Sequence, residues 1–248
     1  MDSADKIEPK VVVFDLDETL GYFTEFYVLY SIISSYINVP SSHKFVLFTT
    51  LFELYPEYLR PDIINILKYL KHKKITGECK GIYIYTNNQG PVEWCEMIKL
   101  YLQNKIKYPL FNHVVGAFRV NGKVREVGRT SDNKITSDFI RCAKLPDNSD
   151  ICFIDNEEYE TMTNVYYLKI DPYVYNLSIN VSTNRFLRSS LGNKLIFNKH
   201  HFVKYVNQEI PKFKKYVYKY KPDGEYDMDI IATKQLTEFL ESFFQNDY

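Results

Sequence analysis

Apolar residues in this chain gather into short runs that stop abruptly at polar, chemistry-bearing residues. Val11-Val12-Val13-Phe14 holds four apolar residues, three of them β-branched, and reads as a short buried strand. It ends at Asp15-Leu16-Asp17-Glu18-Thr19-Leu20. Gly81–Tyr85 and Ile151–Ile154 repeat the pattern, ending at Thr86-Asn87-Asn88 and at Asp155-Asn156. Val165–Leu168 reads as a further strand. Helical patterns separate them. Leu59-Arg60-Pro61-Asp62 opens a helix to about His72, with Pro61 in its first turn and Asp62 complementing its dipole. Another runs from Val92 to about Lys105, and a short one covers Ser137–Ala143. Strands alternating with helices predict a parallel sheet built from βαβ units. Phe118–Arg125 reads as a β-hairpin, because Asn121-Gly122 favours a type I′ turn.

Two regions fall outside that alternation. In the segment from Tyr22 to Pro56, Phe23, Phe26, Tyr27, Tyr30, Ile33, Tyr36 and Ile37 recur at roughly helical spacing, and Phe45–Phe48 forms a second apolar patch. From Pro172 onward only the end is distinctive: Leu236, Phe239, Leu240, Phe243 and Phe244 mark one face of a terminal helix that docks on the core. The expected division is a core over 1–171 with an insertion at about 22–56, and an extension over 172–248. The basic, aromatic stretch Lys212–Lys221 reads as an edge strand protected by lysines more readily than as a nucleic-acid surface.

Asp15 and Asp17 are the leading candidates for chemistry. Two carboxylates at a strand end are costly to bury together unless a cation or a shared proton offsets their repulsion. Ligands of open α/β sheets bind beyond the carboxyl ends of the strands. An Asp there can attack an electrophile while a second Asp moves a proton.

The run Asp15-Leu16-Asp17-Glu18-Thr19-Leu20 resembles the first motif of the haloacid dehalogenase superfamily, in its aspartate-nucleophile phosphatase branch. Thr86 matches the second motif, Lys134 the third and Asp155 the fourth, over roughly Val11 to Leu168. Asn156 stands where many relatives carry a second Asp. Arg125, Arg129 and Lys144 lie near Lys134, so the third motif is the least distinctive. Leu59-Arg60-Pro61 is similar to the branch of carboxyl-terminal-domain phosphatases of RNA polymerase II, whose members need no large cap. Thr86-Asn87-Asn88-Gln89-Gly90 is similar to a motif in the phosphatase half of polynucleotide kinase-phosphatases.

The resemblance implies a Rossmann-like three-layer fold with little or no cap. It also implies a magnesium-dependent phosphatase that passes through an aspartyl phosphate. Asp15 is then the nucleophile and Asp17 the acid and base. Thr86 and Lys134 stabilise the transferring group. Magnesium is held by Asp15, Asp155 and the main-chain carbonyl of Asp17. Thr19, Asn87 and Asn156 support these residues from behind. A phosphoprotein bearing Ser/Thr phosphate is the favoured substrate. A nucleic-acid 3′-end, a small metabolite, or a non-catalytic binding role are the alternatives.

Composition adds limits. Lys+Arg and Asp+Glu both total 31, so global charge gives no argument for nucleic acid or membrane. Cys79, Cys95, Cys142 and Cys152 form no C-x-x-C pair, which fits a reducing compartment. The polar, acidic N-terminus lacks the regions of a signal peptide. Phe26–Val39 is too short to span a bilayer. A cytoplasmic or nuclear protein is expected, not a secreted one. His200-His201 has no partner at metal-ligand spacing, and no P-loop pattern is present.

Overall fold

The computed structural model describes residues 9–213, 221–222 and 225–245. It resolves into two units: 1–20, 60–172 and 227–248 form one, and 21–59 with 173–226 form the other.

The first unit is α/β. Its strands are β1 (Lys10–Phe14), β2 (Gly81–Tyr85), β3 (His113–Val115), β6 (Asp150–Asp155) and β7 (Tyr166–Lys169). They form one sheet in the order β3-β2-β1-β6-β7, every neighbouring pair parallel. Both faces of such a sheet must be covered, which is why β1 and β2 are near-continuous apolar runs. Successive side chains point to opposite faces. Val11, Val13, Tyr83, Tyr85, Ile151 and Phe153 therefore share one core with Phe139, while Val12, Phe14, Ile82 and Ile84 are buried on the other side.

Within this unit, the connection from β1 to β2 ends in helix α3 (Ile63–Ile75), and α4 (Val92–Ile106) joins β2 to β3. The chain then returns through α5 (Thr136–Ala143) to β6 on the far side of β1. The strand order thus reverses at β1, the position at which such sheets open a crevice for ligands. β4 (Arg119–Val120) and β5 (Lys123–Val124) pair antiparallel. Asn121 and Gly122, both at positive φ (51° and 76°), make the two-residue turn that the dipeptide predicts. The terminal helix α9 (Tyr226–Gln245) buries Leu236, Leu240, Phe243 and Phe244, with Phe243 against Tyr166 and Phe244 against Tyr69.

Helix α3 starts later than expected. Pro61 and Asp62 precede it, and Asp62 is left-handed (φ 58°). Arg60 is drawn inward just before that turn, so Pro61 closes the loop and does not open the first helical turn. β3 is an element the residue pattern did not indicate.

The second unit is helical. It contains α1 (Thr24–Tyr36), α2 (Lys44–Phe52), α6 (Ile179–Arg188), α7 (Ser190–Leu195) and α8 (Lys199–Glu209). Phe26 is its hub, 4.6 Å from Phe52, 5.4 Å from Phe48 and 6.0 Å from Tyr58 between ring centroids. The 22–56 insertion therefore shares a core with the later segment; Tyr55 Oη, for instance, donates to the Ser182 carbonyl at 2.7 Å. The expected split at 171 groups these residues differently, because the insertion supplies most of the buried rings of this unit and the extension adds Tyr173, Phe186 and Phe202. Ile210–Phe213 forms a 3₁₀ turn. Residues 214–220, on which the edge-strand expectation falls, lie outside the described residues. Among the described residues no helix is long and apolar enough to cross a membrane.

Candidate active site

Three neighbouring strands end in the residues singled out from sequence. Asp15 follows β1, Thr86 follows β2, and Asp155 closes β6. The backbone fixes their level: Asp15 N–H donates to Ile154 O at 2.9 Å, and Thr86 N–H to Val115 O at 2.9 Å.

Lys134 reaches this edge from the loop before α5. Its ammonium donates to Asp15 Oδ1 at 2.5 Å and to Asp155 Oδ2 at 2.6 Å. It is 1% exposed and lies 5.3–5.7 Å from the ring centroids of Tyr159, Phe153 and Tyr85. Burial alone would depress this ammonium, but the two carboxylates outweigh it and hold Lys134 above the ordinary lysine range. Burial, with Asp15 beside it, holds the Asp155 carboxyl above its usual range against the opposing pull of Lys134. Asp155 Oδ1 also accepts from Glu157 N–H at 2.9 Å.

Asp17 is half-buried. Asn88 Nδ2 donates to its Oδ2 at 2.7 Å. Desolvation pushes the Asp17 carboxyl up to about 7, helped by the charges of Asp15 and Glu18 and opposed by the Asn88 bond. A carboxyl so placed holds a proton near neutrality, as a general acid must. The Thr86–Gly90 loop is tightly wound: Asn88 N–H donates to Thr86 Oγ1 at 3.1 Å and Gly90 N–H to Asn88 Oδ1 at 2.8 Å. A Cβ at position 90 would lie 2.8 Å from that same side-chain oxygen, so a larger residue there would displace the Asn88 side chain.

The three supporting candidates are drawn in as well. Thr19 Oγ1 donates to Asn156 Oδ1 at 3.1 Å, tying the β1 loop to the end of β6. Asn87 Nδ2 donates to Tyr159 Oη at 3.1 Å. Because β1 lies between β2 and β6 in the sheet, that bond links loops on either side of the Asp15 loop.

Several participants were not singled out as site residues. Buried Arg60 donates Nε to Thr19 O at 2.6 Å, and Nη2 to Glu18 O and Asp171 O, both at 2.7 Å. It thereby braces the turn after Asp17. Arg129, also buried, donates to the carbonyls of Gly116, Asp132 and Asn133 at 2.8–3.1 Å and to Thr86 O at 3.3 Å. Lys144 is exposed at the end of α5. Of the nearby cations considered for the third motif, Lys134 is the one whose charge meets Asp15 and Asp155. Tyr159 carried no signal in sequence, since its side chain meets Asn87 and Lys134, both distant along the chain.

The donor set is one of hard oxygens: the carboxylates of Asp15 and Asp155 and the main-chain carbonyl of Asp17. That chemistry fits magnesium. Two carboxyls, Asp15 and Asp155, face the one ammonium of Lys134, a balance of charge that a divalent cation would offset. Among the described residues no three His, Cys, Asp or Glu side chains form a ready-made metal cage; Lys134 stands between the two carboxylates instead. The four cysteines are free. Burial pushes Cys79, Cys95 and Cys142 to about 11, 12 and 11, and Cys152 well above the usual thiol value, so none is a ready thiolate.

Comparison of the chain with known protein families, with curated proteins and with solved structures finds no match.

Proposed function

We propose that this chain is a magnesium-dependent phosphatase working through an aspartyl phosphate on Asp15, with a Ser/Thr phosphate on a protein as its substrate. The observation that carries the reading is the bridge from Lys134 to both Asp15 and Asp155 at the carboxyl edge of the sheet. Asp15 attacks phosphorus in line, and the leaving oxygen takes its proton from Asp17. Asp17 then removes a proton from the water that hydrolyses the acyl phosphate. Lys134 and the Thr86 hydroxyl offset charge on the transferring group. Magnesium, held by Asp15, Asp155 and the Asp17 carbonyl, would supply further positive charge against the phosphate oxygens. Asn156 in place of a second carboxylate lowers the charge available to that ion. The protein substrate rests on the similarity at Leu59-Arg60-Pro61.

A nucleic-acid 3′-phosphate is the second reading. It is favoured by the wound Thr86–Gly90 loop, whose Asn88 braces Asp17.

A panel of phosphopeptides, 3′-phosphorylated oligonucleotides and small phosphate esters, assayed with magnesium and with excess chelator, separates these readings. Turnover confined to phosphopeptides supports the first, and turnover confined to oligonucleotide ends the second. Absence of turnover on every member leaves a binding module. Rapid acid quenching and intact-mass measurement test the chemistry. Asp17→Asn accumulates a hydroxylamine-labile adduct from an aryl phosphate, and Asp15→Asn forms none. An adduct on serine or histidine removes the aspartate mechanism.

A further inference from the structure

The zero net charge of the chain conceals an uneven division. Residues 21–59 and 173–226, the helical unit, carry eleven Lys and Arg against six Asp and Glu; the sheet unit carries twenty against twenty-five. Such asymmetry between parts of one chain points to a polyanionic partner for the basic part. The excess is concentrated: between residues 173 and 213 six cations accompany one acid, Glu209.

The cations have a shaped surface to act on. Val181, Asn184, Arg185 and Arg188 recur along one face of α6. With Leu54 and Ser189 they line an open groove of about 600 Å³. Arg185 is held in place: Nη1 donates to Leu54 O at 3.0 Å and pairs with Glu57, and the guanidinium lies 5.2 Å from the Tyr55 ring centroid. Arg188 is exposed and has no ionic or hydrogen-bond partner among the described residues. Six-residue α7 follows, a length of about 9 Å, and then Phe197, 98% exposed. Lys194 and Lys199, both exposed, flank it. A phenyl ring left almost wholly in water, eight residues along the chain from the groove-lining Ser189, together with exposed cations is a combination that single-stranded nucleic acid uses, with backbone phosphates on the cations and a base on the ring.

We infer that the helical unit binds single-stranded nucleic acid, phosphates lying along Arg185, Arg188 and Lys194 and a base stacking on Phe197. A concave groove suits a strand better than a flat anionic bilayer. An acidic peptide offers the phosphates' charge but no reliable π-face for Phe197. The inference goes beyond the phosphatase reading and stands whether or not Asp15 is a nucleophile.

The test uses the full chain and a fluorescein-labelled oligodeoxythymidylate ending in a 3′-hydroxyl, which presents no phosphomonoester to the Asp15 site. Anisotropy over a salt series reads affinity. Wild type and Asp15→Asn bind alike, with log K falling linearly in log salt at about 0.7 per phosphate neutralised. Arg188→Glu with Lys194→Glu weakens binding by about tenfold or more and flattens that slope by about 1.4. Phe197→Ala weakens it by about fivefold or more, on the scale of losing one stacked base. All three positions are exposed, and unchanged melting temperatures confirm that the variants fold. Absence of binding at low salt, or binding indifferent to these substitutions, overturns the inference. So does capture by phosphatidylserine vesicles without oligonucleotide binding, or polyglutamate binding as tightly as the oligonucleotide.

Discussion

Lys134 and Arg129 are buried cations five residues apart in one loop, and they meet opposite kinds of partner. Among the described residues Arg129 hydrogen-bonds to main-chain carbonyls, those of Thr86, Gly116, Asp132 and Asn133, and its guanidinium lies 4.8 Å from the Tyr85 ring centroid. Each carbonyl is a neutral dipole, and the planar fork meets several at once. Lys134 faces two carboxylates, compact charge on compact charge. Removing Arg129 leaves dipoles unpaired, whereas removing Lys134 leaves two buried anions side by side, a far costlier state. A cation that only holds loops does not need that arrangement. On the proposed reading, Lys134 is one that must offset charge arriving with a phosphate, and it does.

The contrast breaks first at Asp15. Asp15→Asn is expected to abolish turnover of an aryl phosphate while the protein still folds, read by steady-state assay beside circular dichroism. Residual wild-type turnover would falsify the role of the Lys134 corner outright. Next, Lys134→Ala lowers kcat by about a hundredfold or more, the scale of losing one charged transition-state contact. If that variant stays active and an Arg129 variant is dead, the two cations have been assigned the wrong way round. Arg129→Lys keeps the charge but loses the fork. It costs about 1–2 kcal/mol of stability, as expected for lost hydrogen bonds to buried carbonyls. Its kcat falls less than about tenfold, because the cost is structural. Urea denaturation and kinetics on the same preparation check both halves of that statement.

The smallest effect sharpens the comparison from the helical unit. Glu25 is the converse case, a partly buried carboxylate held by neutral donors: Leu177 N–H at 2.8 Å, Tyr58 Oη at 3.3 Å and Asn176 Nδ2 at 3.4 Å. Desolvation raises its carboxyl above the ordinary glutamate value despite those bonds. The native state therefore keeps a proton that the unfolded chain has already lost. Stability from this group is full below the unfolded value, about 4.3, and declines as pH rises through the native one. Glu25→Gln should flatten that decline, measured by urea denaturation across a pH series.

The sheet and its site edge were legible because strand-forming runs end at the residues that matter. Asp15, Thr86 and Asp155 needed only the pattern of apolar residues and where it stops. The hairpin turn was written in Asn121-Gly122. Lys134 was legible only through resemblance, since its partners are 119 and 21 residues away in sequence. Tyr159 and Arg60 act over comparable distances and gave no local sign of their part. β3 was missed because His113-Val114-Val115 is an edge strand of three residues, too short for any periodicity. Helices α6, α7 and α8 were missed because their apolar residues are sparse, yet their starts were marked. Ser178, Ser189 and Asn198 each cap a helix by accepting the N–H three residues on, a signal that local reading can find.

The two units are interleaved along the chain, and that ordering has a consequence for synthesis. The β1 strand leaves the ribosome long before α9, which buries Phe243 and Phe244 in the same unit. The helical unit likewise waits for the segment beginning at residue 173 before Phe26, Tyr55 and Tyr58 gain their remaining neighbours. At about 5–20 residues per second, the nascent protein spends many seconds with two half-built cores, each rich in exposed aromatic rings. Neither unit corresponds to a continuous stretch of the gene. A nonsense mutation before α9 therefore takes away part of the sheet unit even where every strand has already been made.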